Sequence, residues 1–65
     1  MSTQSEATEA ARVLLTRMDL GRDIRNDWDA LESAYGLIDA LVAVKEAAGP
    51  GRRYVLAEIN AAKVA

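Results

Sequence analysis

The chemistry available to this chain comes mainly from its carboxylates and arginines, because the sequence contains no cysteine and no histidine. Asp29 and Glu32 are three residues apart, a spacing that places two carboxylates on one face of a helix. Catalysis would also need an activated nucleophile, a phosphate-binding glycine loop or a set of metal ligands, and no motif provides one. We therefore predict a protein that is not an enzyme and binds no cofactor.

A longer acidic stretch, DLGRDIRNDWD, begins at Asp19 and ends at Asp29. An EF-hand calcium loop requires oxygen ligands at alternating positions, glycine at the sixth position and glutamate at the twelfth. Arg25 occupies the third position of a loop that starts at Asp23, and Leu31 occupies the fifth position of one that starts at Asp27. The pattern therefore favours helix capping and solvated charge, and we predict no metal site.

Two adjacent arginines, Arg52 and Arg53, lie where the last helix is expected to begin. In a helix-turn-helix protein this part of the second helix contacts the major groove of DNA. The motif requires a small residue four positions before the turn glycine and an apolar residue nine positions after it. With Gly49 as the turn glycine these positions hold Lys45 and Glu58, and with Gly51 the first is Ala47 but the second is Asn60, so neither register fits completely. The alternative prediction is a DNA-binding regulator with a degenerate helix-turn-helix, whose nucleic-acid contacts are Arg52, Arg53 and Lys63.

Hydrophobic periodicity indicates an all-α fold, a three-helix bundle in which a long central helix 2 lies between two shorter helices. We expect a flexible N-terminal tail at residues 1–4 and a single helical domain at 5–65. The helices are expected at about 5–20, 27–48 and 52–64. No apolar run approaches the about 20 residues of a membrane span. The N-terminus does not resemble a signal peptide. We therefore expect a cytoplasmic protein with no membrane partner.

Helix 2 is apolar around more than half of its circumference. At about 1.5 Å per residue it would be about 33 Å long, whereas the flanking helices would each be about 20–24 Å long. Two shorter helices would cover its opposite ends and leave apolar surface exposed to water. A stripe of small residues runs along helix 2 at heptad spacing, and two aromatic residues follow another edge. The candidate interface comprises Trp28, Ser33, Tyr35, Gly36, Ala40, Ala43 and Ala47.

Both candidate surfaces allow two interpretations. The small-residue stripe receives either a neighbouring helix of the same chain or a second protein, since small residues let helix backbones approach closely. Trp28 and Tyr35 belong either to an interface or to the edge of the core, because both places favour aromatic residues with a polar atom.

From these features we predict a small protein–protein interaction module that forms a homodimer or docks onto a larger protein. Its net charge of −2 favours a protein partner over nucleic acid. The abundance of alanine and the preference for arginine over lysine suggest a GC-rich genome, in a bacterium or its phage. The prediction is thus a regulatory or accessory protein, with the DNA-binding regulator as the alternative.

Overall fold

The fold is built from helices joined by short turns. The computed structural model describes residues 3–64, and within them no strand occurs, so the predicted all-α class is confirmed. The predicted three-helix bundle is wrong, because the described residues form four helices and helix 2 is short. In chain order these are α1 (Thr3–Asp19), α2 (Arg25–Tyr35), α3 (Leu37–Ala48) and α4 (Val55–Val64).

The two ends of the chain are described only in part. The first two residues of the tail expected at 1–4 lie outside the described residues, as does Ala65 at the C-terminus. Thr3 and Gln4 belong to the first turn of α1. No helix among residues 3–64 combines the length and the apolar character needed to cross a bilayer.

The helix expected at residues 27–48 is interrupted at Gly36. This residue has φ 89° and ψ 158°, a backbone conformation that is essentially restricted to glycine. A Cβ atom added to Gly36 would meet no other atom within 4 Å. Glycine is therefore needed here for its backbone conformation and not for the space that its missing side chain leaves. The chain changes direction at this point, so α2 and α3 are separate helices.

Glycines with positive φ also end α1 and α3. Gly21 has φ 77°, and the N–H groups of Gly21 and Arg22 donate to the carbonyls of Met18 and Arg17 over 3.0 Å each. This pair of hydrogen bonds is the Schellman motif, which satisfies the last carbonyls of a helix. Gly49, with φ 78°, follows α3. The sequence therefore identifies these two helix ends correctly.

The starts of α2 and α4 differ from the expected positions. Helix α2 begins at Arg25 rather than at residue 27, since Trp28 N–H already donates to the Ile24 carbonyl over 2.8 Å. The backbone N–H of Arg25 donates to the Asp23 carboxylate over 2.9 Å. Helix α4 begins at Val55 rather than at residue 52. The segment between Gly49 and Val55 instead forms turns, one of which is closed by a hydrogen bond from Arg52 N–H to the Gly49 carbonyl.

The core forms around the contact between α1 and α3, which is the most extensive helix pair in the chain. Both helices place alanines in it, and each of these is completely buried: Ala7 and Ala11 from α1, and Ala40 and Ala43 from α3. Larger buried side chains complete the core: Leu14, Leu15, Ile24, Trp28, Leu31, Val44, Val55 and Ile59. Because the chain turns at Gly36, α1 covers the inner side of α3, and the expected division of one long helix between two shorter ones does not arise.

Candidate interaction surface

Helix α3 carries apolar side chains on a second side, away from its buried alanines. On a helix of 3.6 residues per turn, the apolar side chains from Leu37 to Val42 on this second side span an arc of about 140°. Three of them are well exposed: Leu37 at 51%, Ile38 at 75% and Val42 at 40%. We define the α3 outer face as Leu37, Ile38, Leu41 and Val42.

The charged residues of α3 leave this face largely uninterrupted. Asp39 and Glu46 occupy the strip of helix between the outer face and the buried alanines. Lys45 lies at the C-terminal end of the outer face, beside the turn that contains Gly49 and Arg52. Leu41 is half-buried and lines a cleft with Trp28 and residues of α4. The outer face is thus an apolar surface that begins at the Gly36 break and continues for nearly two turns.

The small-residue stripe predicted from the sequence is divided by the fold. Ala40 and Ala43 are completely buried in the core of the chain, whereas Ser33 and Gly36 are exposed and Ala47 is half-buried. The break at Gly36 places Ser33 on α2 and the three alanines on α3. The five residues therefore do not form one continuous surface.

The two aromatic residues of the predicted interface lie in different surroundings. Trp28 is only 4% exposed, and the ammonium nitrogen of Lys63 lies 5.0 Å from the centre of its ring, within the range of a cation–π interaction. Tyr35 is half-buried and contacts the core. It lines one end of an open groove between α1 and α2, which also contains Val13 and Ala34.

This groove is mainly apolar and has a volume of about 390 Å³. Its lining includes small residues from both helices, among them Ala10, Ala30 and Ala34. Polar groups do not converge in it, since Asp27 at its rim faces Arg17 at 4.0 Å. The groove is shallow and lacks the placed polar groups that a small-molecule site needs for specificity.

Arg52 forms an ion-pair network inside the chain. Its guanidinium donates to both carboxylate oxygens of Asp19, over 2.7 and 3.1 Å, and its Nε donates to Glu58 over 2.8 Å. Hydrogen bonds to the Asp19 and Glu58 carboxylates raise the pKa of Arg52, and the hydrogen bond from Arg52 lowers the pKa of Asp19. The network joins the end of α1 to the beginning of α4.

The three residues of the predicted nucleic-acid contact are not brought together as a free basic patch. The Arg52 side chain is only 28% exposed and is occupied by two carboxylates. Lys63 lies over Trp28. Arg53 is exposed. The chain as a whole has six arginines but a net charge of −2, so its overall charge does not favour binding to phosphate.

The acidic stretch that begins at Asp19 is also paired within the chain. Asp23 accepts hydrogen bonds from the Arg25 side chain and backbone, and these lower its pKa to about 2. Asp27 lies beside Arg17. Within residues 3–64 no three acidic side chains come close enough together to hold a metal ion.

The sequence pattern places Ile38 and Val42 on the apolar arc of helix 2 but does not select them as interface residues. The signal is present in the sequence, because Leu37, Ile38, Leu41 and Val42 make the first half of α3 apolar on several sides. Their exposure depends on which side of α3 meets α1, which periodicity alone does not determine.

Comparison of the chain with known protein families, with curated proteins and with solved structures gives no match.

Proposed function

We propose that this protein is a small, non-enzymatic interaction module that associates with a second copy of itself and acts as a regulatory or accessory protein. The observation that carries the proposal is the α3 outer face. It exposes three large aliphatic side chains side by side, although the same helix already buries its opposite side in the core. Apolar patches of this kind are typical of protein-binding surfaces.

The size of the outer face indicates how it would contribute. Burial of a complete Leu, Ile or Val side chain is worth about 1.5–3 kcal/mol. Scaled by the exposed fractions of Leu37, Ile38 and Val42, burial of the outer face would contribute about 3 kcal/mol of binding free energy for each copy. A dimer, which buries two such faces, would gain about 6 kcal/mol. Association itself costs about 4–15 kcal/mol. The outer face therefore acts as the centre of a larger contact and is not sufficient by itself.

A two-fold dimer provides the additional contact, because each surface is used twice in a symmetric pair. A standard interface buries about 800 Å² on each partner, which is about a fifth of this chain's surface of 4371 Å². Surface next to the outer face, including the α2–α3 junction, would have to take part.

Duplex DNA is the alternative partner, and the residue contacts give it less support. Phosphate binding depends on cationic side chains that are free to release counterions. Arg52 is held by Asp19 and Glu58, and Lys63 is held over Trp28. Arg53 is then the remaining cation of the three predicted contacts.

Light scattering and sedimentation over a dilution series test the proposal. We expect a dimer that dissociates on dilution, and Ile38→Glu should abolish it because the charge would be buried at the centre of the contact. Val64→Glu is the matched control, since Val64 is 79% exposed and lies on α4, outside the outer face. A chain that stays monomeric at every concentration, or a dimer that both variants leave intact, would refute the proposal.

Fluorescence anisotropy with labelled duplex DNA at low salt tests the alternative. We expect no binding by the parent chain. Binding that weakens steeply with added salt and is lost in Arg53→Ala would instead support the DNA-binding regulator.

A further inference from the structure

We propose that Gly36 is a hinge through which two copies of this chain exchange their α3–α4 segments. The closed form is the single-chain fold, in which α3 packs against α1 of the same chain. In the exchanged dimer α2 and α3 would form one continuous helix over residues 25–48, and α3 of each copy would pack against α1 of the other. This inference rests on the proposed self-association and specifies how it occurs.

Helical hydrogen bonds reach the hinge from both sides, although Gly36 itself is not helical. Gly36 N–H donates to the Glu32 carbonyl over 2.8 Å, and Ala40 N–H donates to the Gly36 carbonyl over 2.9 Å. Both are helical bonds between residues four apart. The first N–H groups of α3 receive no side-chain cap. A change in the two dihedral angles of Gly36 alone would therefore join the helices and supply helical acceptors to those N–H groups.

The side-chain pattern is continuous across the hinge. Trp28, Leu31, Tyr35, Ile38 and Val42 follow one another at intervals of three, four, three and four residues. That spacing forms a single apolar seam on one straight helix. No proline lies within residues 25–48, since the only proline of the chain is Pro50. The sequence therefore supports a continuous helix as well as the two helices of the closed form.

Opening of the hinge requires a second copy. In an isolated open chain, the completely buried alanines of α1 and α3 would lose their partners and face water. Ala7 and Ala11 of α1, and Ala40 and Ala43 of α3, are all 0% exposed in the closed form. Reciprocal exchange restores the same contacts between chains, so the core of the closed form is kept. The open state is therefore expected as a dimer and not as an extended monomer.

The exchange also covers the part of the α3 outer face that lies next to the hinge. In the exchanged dimer, each half of the molecule consists of α1 and α2 of one chain and α3 and α4 of the other. The two Gly36 hinges connect these halves and run side by side at the two-fold axis. Leu37 and Ile38 follow Gly36 directly, so the two copies of these residues would meet there. This contact is absent from the closed form, in which Ile38 is 75% exposed. The exchanged dimer thus uses the surface that carries the proposed function.

Two substitutions at Gly36 should move the equilibrium in opposite directions. L-Alanine favours the continuous helix and is disfavoured at φ 89°, whereas D-alanine, introduced by chemical synthesis, favours positive φ and disfavours the helix. Gly36 is exposed, and an L-Cβ would meet nothing within 4 Å. A dimer contains two hinges. If each substitution changes the equilibrium constant for opening one hinge tenfold, the dimer dissociation constant of Gly36→Ala should fall about a hundredfold. That of the D-alanine variant should rise by a similar factor.

A cross-linking experiment distinguishes the exchanged dimer from one that forms by simple docking. Arg12 of α1 and Glu46 of α3 line the same shallow cleft. The chain contains no cysteine, so Arg12→Cys/Glu46→Cys can be joined selectively by a short bis-maleimide. In the closed form the reagent joins two residues of one chain. In the exchanged dimer it joins two different chains, which then migrate as a dimer on a denaturing gel.

The expected result is cross-linking between chains in the dimer fraction and within chains in the monomer fraction. Single-cysteine variants serve as the control for random cross-linking. A dimer by light scattering whose cross-links are all within chains would overturn the exchange and leave the proposed self-association intact. A chain that is monomeric at every concentration, and remains so as Gly36→Ala, would overturn both. X-ray scattering gives a second readout, because a straight helix of 24 residues is about 36 Å long, whereas the closed form measures 32 Å along its longest axis.

Discussion

Replacement of Leu14 by alanine should remove much of the stability of the closed form. Leu14 is 1% exposed and lies at the contact between α1 and the rest of the core. Truncation of a leucine in such a position costs about 3–5 kcal/mol, because apolar contacts are lost and a cavity remains. A chain of 65 residues has a free energy of unfolding of about 3–10 kcal/mol in total. Leu14→Ala should therefore leave a marginally folded protein.

The neighbouring Val13 provides a matched control. It belongs to the same helix but is 54% exposed, and alanine has a higher helix propensity than valine. Val13→Ala should therefore change the free energy of unfolding by no more than about 0.5 kcal/mol. The two residues are adjacent in the chain, but one side chain is buried and the other is about half exposed.

Urea denaturation followed by tryptophan fluorescence measures both variants. Trp28 is the only tryptophan of the chain and is buried, so its emission reports unfolding. Small proteins lose about 1 kcal/mol of stability per molar urea. The midpoint of Leu14→Ala should thus fall by about 3 M or more, and that of Val13→Ala should hardly move. Equal shifts, or a Leu14→Ala midpoint within about 1 M of the parent, would show that α1 does not pack through its Leu14 side.

Two further predictions concern the charged contacts of the chain. The hydrogen bond from Arg52 lowers the pKa of Asp19 below its ordinary value of 3.8, so the ionised carboxylate stabilises the fold above that pH and loses its effect as the pH falls. Asp19→Asn should accordingly lower the urea midpoint at pH 6, and its difference from the parent should shrink as the pH falls below 3.8; a difference that stays constant with pH would contradict this. Lys63→Gln should destabilise the fold by about 0.5–1 kcal/mol, because it removes the cation above Trp28, whereas Lys63→Arg should retain most of the interaction. Equal effects of the two Lys63 variants in urea denaturation would argue against that contact.

The helical class and two of the helix ends could be predicted from the sequence because local chemistry determines them. Gly21 and Gly49 each follow an amphipathic segment and precede residues that do not continue its periodicity. A glycine in this place adopts positive φ at little cost and lets the last carbonyls of the helix find donors. These signals act within a few residues and do not depend on the rest of the fold.

The break at Gly36 could not be predicted in the same way. The apolar pattern passes through Gly36 without interruption, and a glycine inside a helix costs only about 1 kcal/mol. The outcome depends on the contact that α3 makes with α1 once the chain turns, which buries Ala40 and Ala43. Helical periodicity reports which side chains share a face but not which helix covers that face. For the same reason the sequence indicates an uncovered apolar surface but does not locate it on Ile38 and Val42.

The alanine-rich contact between α1 and α3 has a consequence for the response of this protein to heat. Alanine loses no side-chain rotamer freedom on burial, and its methyl group hides little apolar surface, so this contact adds little to the heat capacity of unfolding. A chain of 65 residues unfolds with an enthalpy of only about 45 kcal/mol near 60 °C. Together these properties give a shallow stability curve and a broad thermal transition. A fraction of unfolded chains would then be present well below the melting temperature.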